Sequence, residues 1–191
     1  QSPAYGAGSP VDGYGAPTAG YRTWYGKRSN PARVAKFGAG PISAAASLTG
    51  ELAAASGPLY LQAEYGRAQL QQAPRHADVS ALSAAIAYSL TGETRSYAPH
   101  KGTYGALTPT HHLGAVEAVL RYDDIRNADL SSCALKTAAT LCDISSITAG
   151  VNYYPDPHIR FMLQYQIGVA DAGTAGRDHP HTIEARAQAS L

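Results

Sequence analysis

Residues 145–167 alternate in side-chain character, residue by residue, on both sides of Pro155-Asp156-Pro157. Going in, Ile147, Ala149, Val151 and Tyr153 alternate with Thr148, Gly150, Asn152 and Tyr154. Coming out, Ile159, Phe161, Leu163, Tyr165 and Ile167 alternate with Arg160, Met162, Gln164 and Gln166. Successive side chains of a strand point to opposite faces, so this stretch is a β-hairpin with one apolar and one polar face. Tyr sits near the ends of the apolar face, and Arg, Gln and Asn line the polar one. That distribution suits a membrane-spanning barrel wall better than a soluble sheet.

The same period recurs along the chain. Ile42, Ala44, Ala46, Leu48, Gly50, Leu52 and Ala54 share a face, opposite Ser43, Ser47, Thr49 and Glu51. After the tight turn Gly57-Pro58, Leu59, Leu61, Ala63 and Tyr65 oppose Tyr60, Gln62 and Glu64. A loop over 71–78 precedes Leu82, Ala84, Ile86, Tyr88 and Leu90, which oppose Ser83, Ala85 and Ser89. Gly114, Val116, Ala118, Leu120 and Tyr122 oppose Glu117 and Arg121, and a loop over 123–144 leads into the 145–167 hairpin. Beyond a Gly-rich loop over 171–180, Ile183, Ala185, Ala187, Ala189 and Leu191 oppose Glu184, Arg186, Gln188 and Ser190. With a short strand over 21–29, about eight strands are expected, most near the ~9–11 residues that cross a bilayer at a tilt. Residues 1–20, rich in Gly, Pro, Ala, Ser and Tyr without a period, are expected to be loop or poorly ordered. Residues 21–191 make the barrel portion.

Alternation is symmetric to inversion: a soluble barrel buries the apolar face and a membrane barrel exposes it. Loop lengths break the tie. If the last strand ends at the periplasmic side, Gly57-Pro58 and 155–157 are short periplasmic turns, and the loops near Arg33, Arg75, Cys133 and Gly173 are long and external. That asymmetry is the one expected of outer-membrane barrels. The same parity puts Tyr88 and Tyr153 near the lower rim, and Tyr65, Tyr122 and Tyr165 near the upper, as two aromatic belts. One segment breaks the pattern. Residues 91–112 should be a periplasmic turn, yet they are long and carry Arg95, Tyr97, His100, Lys101 and Tyr104. A long loop with its own chemistry is usually functional or disordered.

Composition is consistent with this. No run of ~18 apolar residues is present, which excludes a transmembrane helix, and a mean hydropathy of -0.21 is compatible with strands that are half polar. Gln1-Ser2-Pro3 follow no charged, apolar leader, so a processed form or a piece of a longer chain is expected. The net charge of +1 gives no global argument for nucleic acid. Arg outnumbers Lys by 11 to 4, and its planar, weakly hydrated fork suits oxyanions in a confined site. There are 13 Tyr against 2 Phe and 1 Trp, a bias suited to a membrane–water boundary. Cys133 and Cys142, the only cysteines, read as a loop-closing disulfide of an oxidising compartment, with two separate reduced thiols as the alternative. His111-His112 and His179-Pro180-His181 lack companions at ligand spacing, so neither a metal nor any other cofactor is expected. No nucleophile triad or phosphate-cradling glycine loop stands out, and an enzyme is not expected.

Four segments in order resemble the phosphate-selective porin O and P family. Gly57-Pro58-Leu59-Tyr60-Leu61-Gln62-Ala63-Glu64-Tyr65 is similar to its GP…LQxEY strand. Leu90-Thr91-Gly92-Glu93-Thr94-Arg95-Ser96-Tyr97 resembles another of its motifs. Leu113-Gly114-Ala115-Val116-Glu117-Ala118-Val119-Leu120-Arg121-Tyr122 resembles its GAWELxxRY strand, with Val116 in place of Trp. Asn152-Tyr153-Tyr154-Pro155-Asp156-Pro157-His158-Ile159-Arg160 resembles its NWYxNPxxR hairpin, and Leu191 stands where the family ends in Phe. The resemblance covers residues 21–191. It implies an all-β, antiparallel transmembrane barrel of roughly sixteen strands, of which this chain would be the C-terminal half, or else a protein whose other strands are supplied elsewhere. It also implies a homotrimer in the bacterial outer membrane, in contact with lipid.

The leading expectation is therefore an outer-membrane porin passing small inorganic anions such as phosphate by passive diffusion. Its lumen would use Arg and Lys to replace an oxyanion's hydration without trapping it. The pore-lining candidates are Arg95, Lys101, Arg121, Arg160 and Arg186. The competing reading of Arg121, Arg160 and Arg186 is cross-strand pairing with Glu64, Glu117 and Glu184, which would merely satisfy the wall. Two other functions stay open: a soluble secreted eight-stranded barrel burying Ile159, Phe161 and Leu163 around an apolar ligand, and a structural outer-membrane barrel without channel activity.

Overall fold

The computed structural model describes residues 44–72, 75–100, 102–128, 143–171 and 176–189. The expected loop over 1–20, the short strand over 21–29, Lys101, Cys133 and Cys142 lie outside the described residues. Among the described residues everything regular is β-structure: β1 (Ala44–Ser56), β2 (Leu59–Gln72), β3 (Arg75–Ser89), β4 (Tyr97–Ala98), β5 (Thr103–Tyr104), β6 (Ala115–Asn127), β7 (Asp143–Asp156), β8 (Ile159–Asp171), β9 (Arg177–Asp178) and β10 (His181–Ala189).

The long strands form one antiparallel sheet in the order β1-β2-β3-β6-β7-β8-β10, with β9 paired to β8, while β4 and β5 form a separate small hairpin. Each long strand pairs with its sequence neighbours, as an up-and-down wall requires. Among the described residues β1 and β10 do not pair with each other, so the sheet is open at both edges. A closed barrel is therefore not formed by these strands alone.

The apolar face is the exposed one. Leu48, Leu52, Leu61, Ile86, Leu120, Ile147, Val151 and Ile183 all lie exposed on it. Ile159, Phe161 and Leu163 are 37%, 48% and 59% exposed. The inverted arrangement, which would bury these three around an apolar cavity, is not the one adopted. Ser89, Glu117, Ser146, Thr148 and Asn152 of the opposite face are buried instead.

Several strands outrun their apolar alternation. The expected loop over 71–78 is nearly all strand, because β2 continues to Gln72 and β3 starts at Arg75. Likewise β6 runs to Asn127 and β7 starts at Asp143, inside the expected 123–144 loop. In these extensions the apolar face turns polar at Arg67, Gln69, Asp78, Asp124 and Arg126 while Ala68, Val79 and Ile125 fall on the other face, which inverts the period-2 signal, yet the backbone ladder continues.

Two connections at one end of the sheet are tight. Gly57, at φ +55°, is the first central residue of the two-residue β1–β2 turn, where a positive φ matches the twist of the strands. The β7–β8 turn is closed by Asp156, whose Oδ1 accepts from the backbone N–H of His158 (2.7 Å) and Ile159 (3.1 Å). The pairing slips between Tyr153 and Asp156, at Pro155, which has no N–H to give the ladder. Gly114 fits against this irregularity. Its φ is +84°, and a Cβ there would lie 2.4 Å from the Tyr154 carbonyl oxygen.

Candidate functional site

The third connection at this end, residues 91–112, is not a simple turn. It folds back over the polar face at the start of β6, where Leu107, Ala115 and Tyr154 form a small buried cluster. Two carboxylates hold it there, and both are buried.

Glu93 is 4% exposed. The alternating polar residues at the end of β3 and just beyond it, Ser89, Thr91 and Glu93, converge. The Ser89 and Thr91 hydroxyls donate to Glu93 Oε2, the former at 2.7 Å. The Thr110 hydroxyl donates to Oε1 at 3.3 Å, and Val116 N–H donates to Thr91 Oγ1 at 3.1 Å. Thus one carboxylate ties the start of the segment to its end and to β6. Burial pushes the Glu93 carboxyl up, but hydrogen bonds from Thr91, Ser89 and backbone amides outweigh that and hold its pKa to about 2.

Glu117 is 1% exposed and lies in one cross-strand row with Ser89 of β3 and Asn152 of β7. Its Oε2 accepts from Asn152 Nδ2 (2.8 Å) and Tyr154 OH (3.1 Å), and its Oε1 receives Arg95 Nη2 at 2.5 Å. Arg95 Nη1 also donates to the Gly105 carbonyl at 2.9 Å. The guanidinium carbon lies 4.6 Å from the centroid of the Tyr60 ring. Tyr60 meets Tyr104 edge-on at 5.5 Å, and Tyr104 meets Tyr97 at 5.1 Å. Stacked and paired in this way, Arg95 is the central pin of the segment.

The other arginine candidates are spread over three strands of the polar face. Arg121 on β6 pairs with Asp123 of its own strand at 2.8 Å, and Asp123 also accepts from Ser83 on β3 at 2.7 Å. Arg160 on β8 donates to Gln188 Oε1 on β10 at 2.8 Å and lies 5.9 Å from the Tyr154 ring centroid. Arg186 on β10 is exposed and aligns with Met162, in the row that contains Asn152 and Glu117. Arg121 and Arg160 take Asp123 and Gln188, and Glu117 takes Arg95. By strand parity Glu51, Glu64 and Glu184 share this face, with Glu51 directly opposite Glu64. The polar face therefore interleaves both signs of charge.

The five tyrosines lie exposed on the apolar face. Tyr88 and Tyr153 are close to the tight-turn end, where Tyr153 OH donates to the Leu113 carbonyl at 3.0 Å. Tyr65 sits six residues beyond Leu59, ~20 Å along the strand. Just past Tyr65 and Tyr122 the same face becomes charged. Arg67 Nε binds Asp78 at 2.8 Å and Arg126 Nε binds Asp124 at 2.7 Å. An apolar band bounded by Tyr and then by ion pairs is the profile of a lipid-facing wall.

Comparison with known proteins agrees with this geometry. The family model for phosphate-selective porin O and P matches residues 6–190. The chain belongs to that family. Its members are porins of the bacterial outer membrane and not enzymes. Porin O of Pseudomonas aeruginosa is 30% identical over 117 residues, a match covering 58% of this chain and 27% of the length of that relative.

Sequence reasoning missed the roles of Glu93 and Glu117. For Glu93 a local signal existed: Ser89, Thr91 and Glu93 fall on one face as a strand ends. For Glu117 none did, because its partner Arg95 lies 22 residues away in a segment without periodicity.

Proposed function

We propose that this chain supplies part of the wall of an outer-membrane porin that passes small anions, of phosphate type, by passive diffusion. The observation that carries the reading is the division of the sheet into two faces. One is an exposed, Tyr-bordered apolar face suited to lipid, and the other is a polar face with Arg121, Arg160 and Arg186 set among carboxylates. Arginines interleaved with acids offer an oxyanion hydrogen bonds in place of water without a site deep enough to trap it. Strands from the rest of the porin would pair with the open edges of β1 and β10 and close the barrel.

The test is reversal potential in planar bilayers under a KCl gradient, using the full-length protein, followed by phosphate titration of the chloride current. Anion selectivity with phosphate competition supports the reading, and cation selectivity overturns it. A folded, membrane-inserted protein that carries no current supports a structural barrel instead, a reading favoured by the way residues 91–112 cover part of the polar face. A homotrimer would give an SDS-resistant band at three times the monomer mass. A Cys133–Cys142 disulfide would appear as a linked peptide that separates on reduction.

A further inference from the structure

Glu117 has three donors, and they are of two kinds. Asn152 and Tyr154 belong to β7, the strand paired with β6, so these two hydrogen bonds are made within the wall itself. Arg95 comes from residues 91–112 and reaches the other carboxylate oxygen. Once seated, Arg95 also holds the Gly105 carbonyl and covers Tyr60, so the single contact engages both limbs of the β4–β5 hairpin. The side chains of the pair are 14% and 2% exposed. A carboxylate this buried is costly unless a cation and well-placed donors compensate it. Wall donors orient the carboxylate, and the arginine supplies the compensating charge.

From this geometry we infer that Glu117 is a specificity-determining positioning residue. It is the wall receptor that docks residues 91–112 through Arg95 and cancels the Arg95 charge, so that Arg95 pins the segment and contributes no net positive potential to the lumen. The inference rests on the porin reading and refines it, because it removes one arginine from the effective anion-attracting set and assigns the reason to one carboxylate.

The experiment uses the full-length protein in planar bilayers under a KCl gradient, with Glu117→Gln, Arg95→Gln and the double variant. Glu117→Gln leaves the arginine uncompensated, and the anion-over-cation permeability ratio rises roughly sevenfold for a unit charge about 7 Å from the path in unscreened water, because anions are favoured and cations disfavoured by about the same factor. Arg95→Gln leaves the carboxylate uncompensated, and the ratio falls by a similar factor. The double variant lies between the two. Ratios that stay at the wild-type value, or that move in the same direction in both single variants, overturn the inference. If Glu117→Gln does not insert, Arg95→Gln, which leaves the wall intact, decides by its sign alone.

A second measurement does not depend on conduction. Trypsin cleavage after Arg95 is slow in the wild type and becomes at least tenfold faster in Glu117→Gln, whereas Glu117→Asp restores part of the protection. Equal cleavage in wild type and Glu117→Gln refutes the docking role. A wild type that is inserted but carries no current defeats the porin reading, and the protease result then decides the docking role on its own.

Discussion

The two ends of the sheet use the same kind of contact with different consequences. At the tight-turn end, Arg95 and Glu117 meet with side chains 14% and 2% exposed, inside a set of further hydrogen bonds. At the other end, Arg67–Asp78 and Arg126–Asp124 join side chains 50% and 22%, and 64% and 14%, exposed. Water and salt screen the second set, and the wall continues with or without it. In the first set, loss of either Arg95 or Glu117 leaves the other as an uncompensated, largely buried charge. At the end with short turns the contacts depend on one another, because the one long connection there is folded onto the polar face and secured by both carboxylates.

The sharpest way to break that contrast is Gly114→Val. The residue has φ +84°, and its Cβ would clash with the Tyr154 carbonyl and the Pro155 backbone. The expected loss is about 3 kcal/mol or more. It should appear as a lower urea midpoint for the heat-modifiable gel shift, and an unchanged midpoint would refute the account of the β7–β8 irregularity. Next in size is Arg95→Ala, which strands Glu117. A cost of about 3 kcal/mol is expected, concentrated in residues 91–112 and read by hydrogen exchange.

A pH titration tests the hold at the tight-turn end. Glu93 has its pKa depressed from 4.5 to about 2, so it contributes hold on the segment above pH 4.5 and loses it as pH falls toward 2. Protease protection of residues 91–112 should therefore be flat from pH 8 to 5 and decline only below 4.5. Glu93→Gln should remove that step, and loosening between pH 8 and 6 would contradict the assignment. The smallest effects belong to Arg67→Ala and Arg126→Ala. Each should change unfolding little in low salt and not at all in molar salt, and a salt-resistant loss would break the comparison.

How much was legible beforehand follows the same division. Period-2 alternation with turn residues placed the 145–167 hairpin, the Gly57-Pro58 turn and the pairing order of the wall. It located the strand ends poorly wherever the outward face turned from apolar to polar, as at Arg67 and Gln69 in 66–72 and at Asp124 and Arg126 in 123–127. The family resemblance carried by four ordered motifs agrees with the family model. Arg95 was recognisable as important because it lies in a long segment where a short turn was due. Its partner was not, since pairing across 22 residues depends on how the segment folds back, which no local pattern encodes.

Alternation commits every second side chain to one side, so the order of residues alone makes this chain an antiparallel wall with one lipid-compatible face. Tertiary structure decided which face is covered, how residues 91–112 fold back, and whether an arginine counts as a charge or as a pin. Those outcomes depend on burial and on the convergence of residues from different strands, and only the folded sheet brings Glu117, Asn152, Tyr154 and Arg95 to one point.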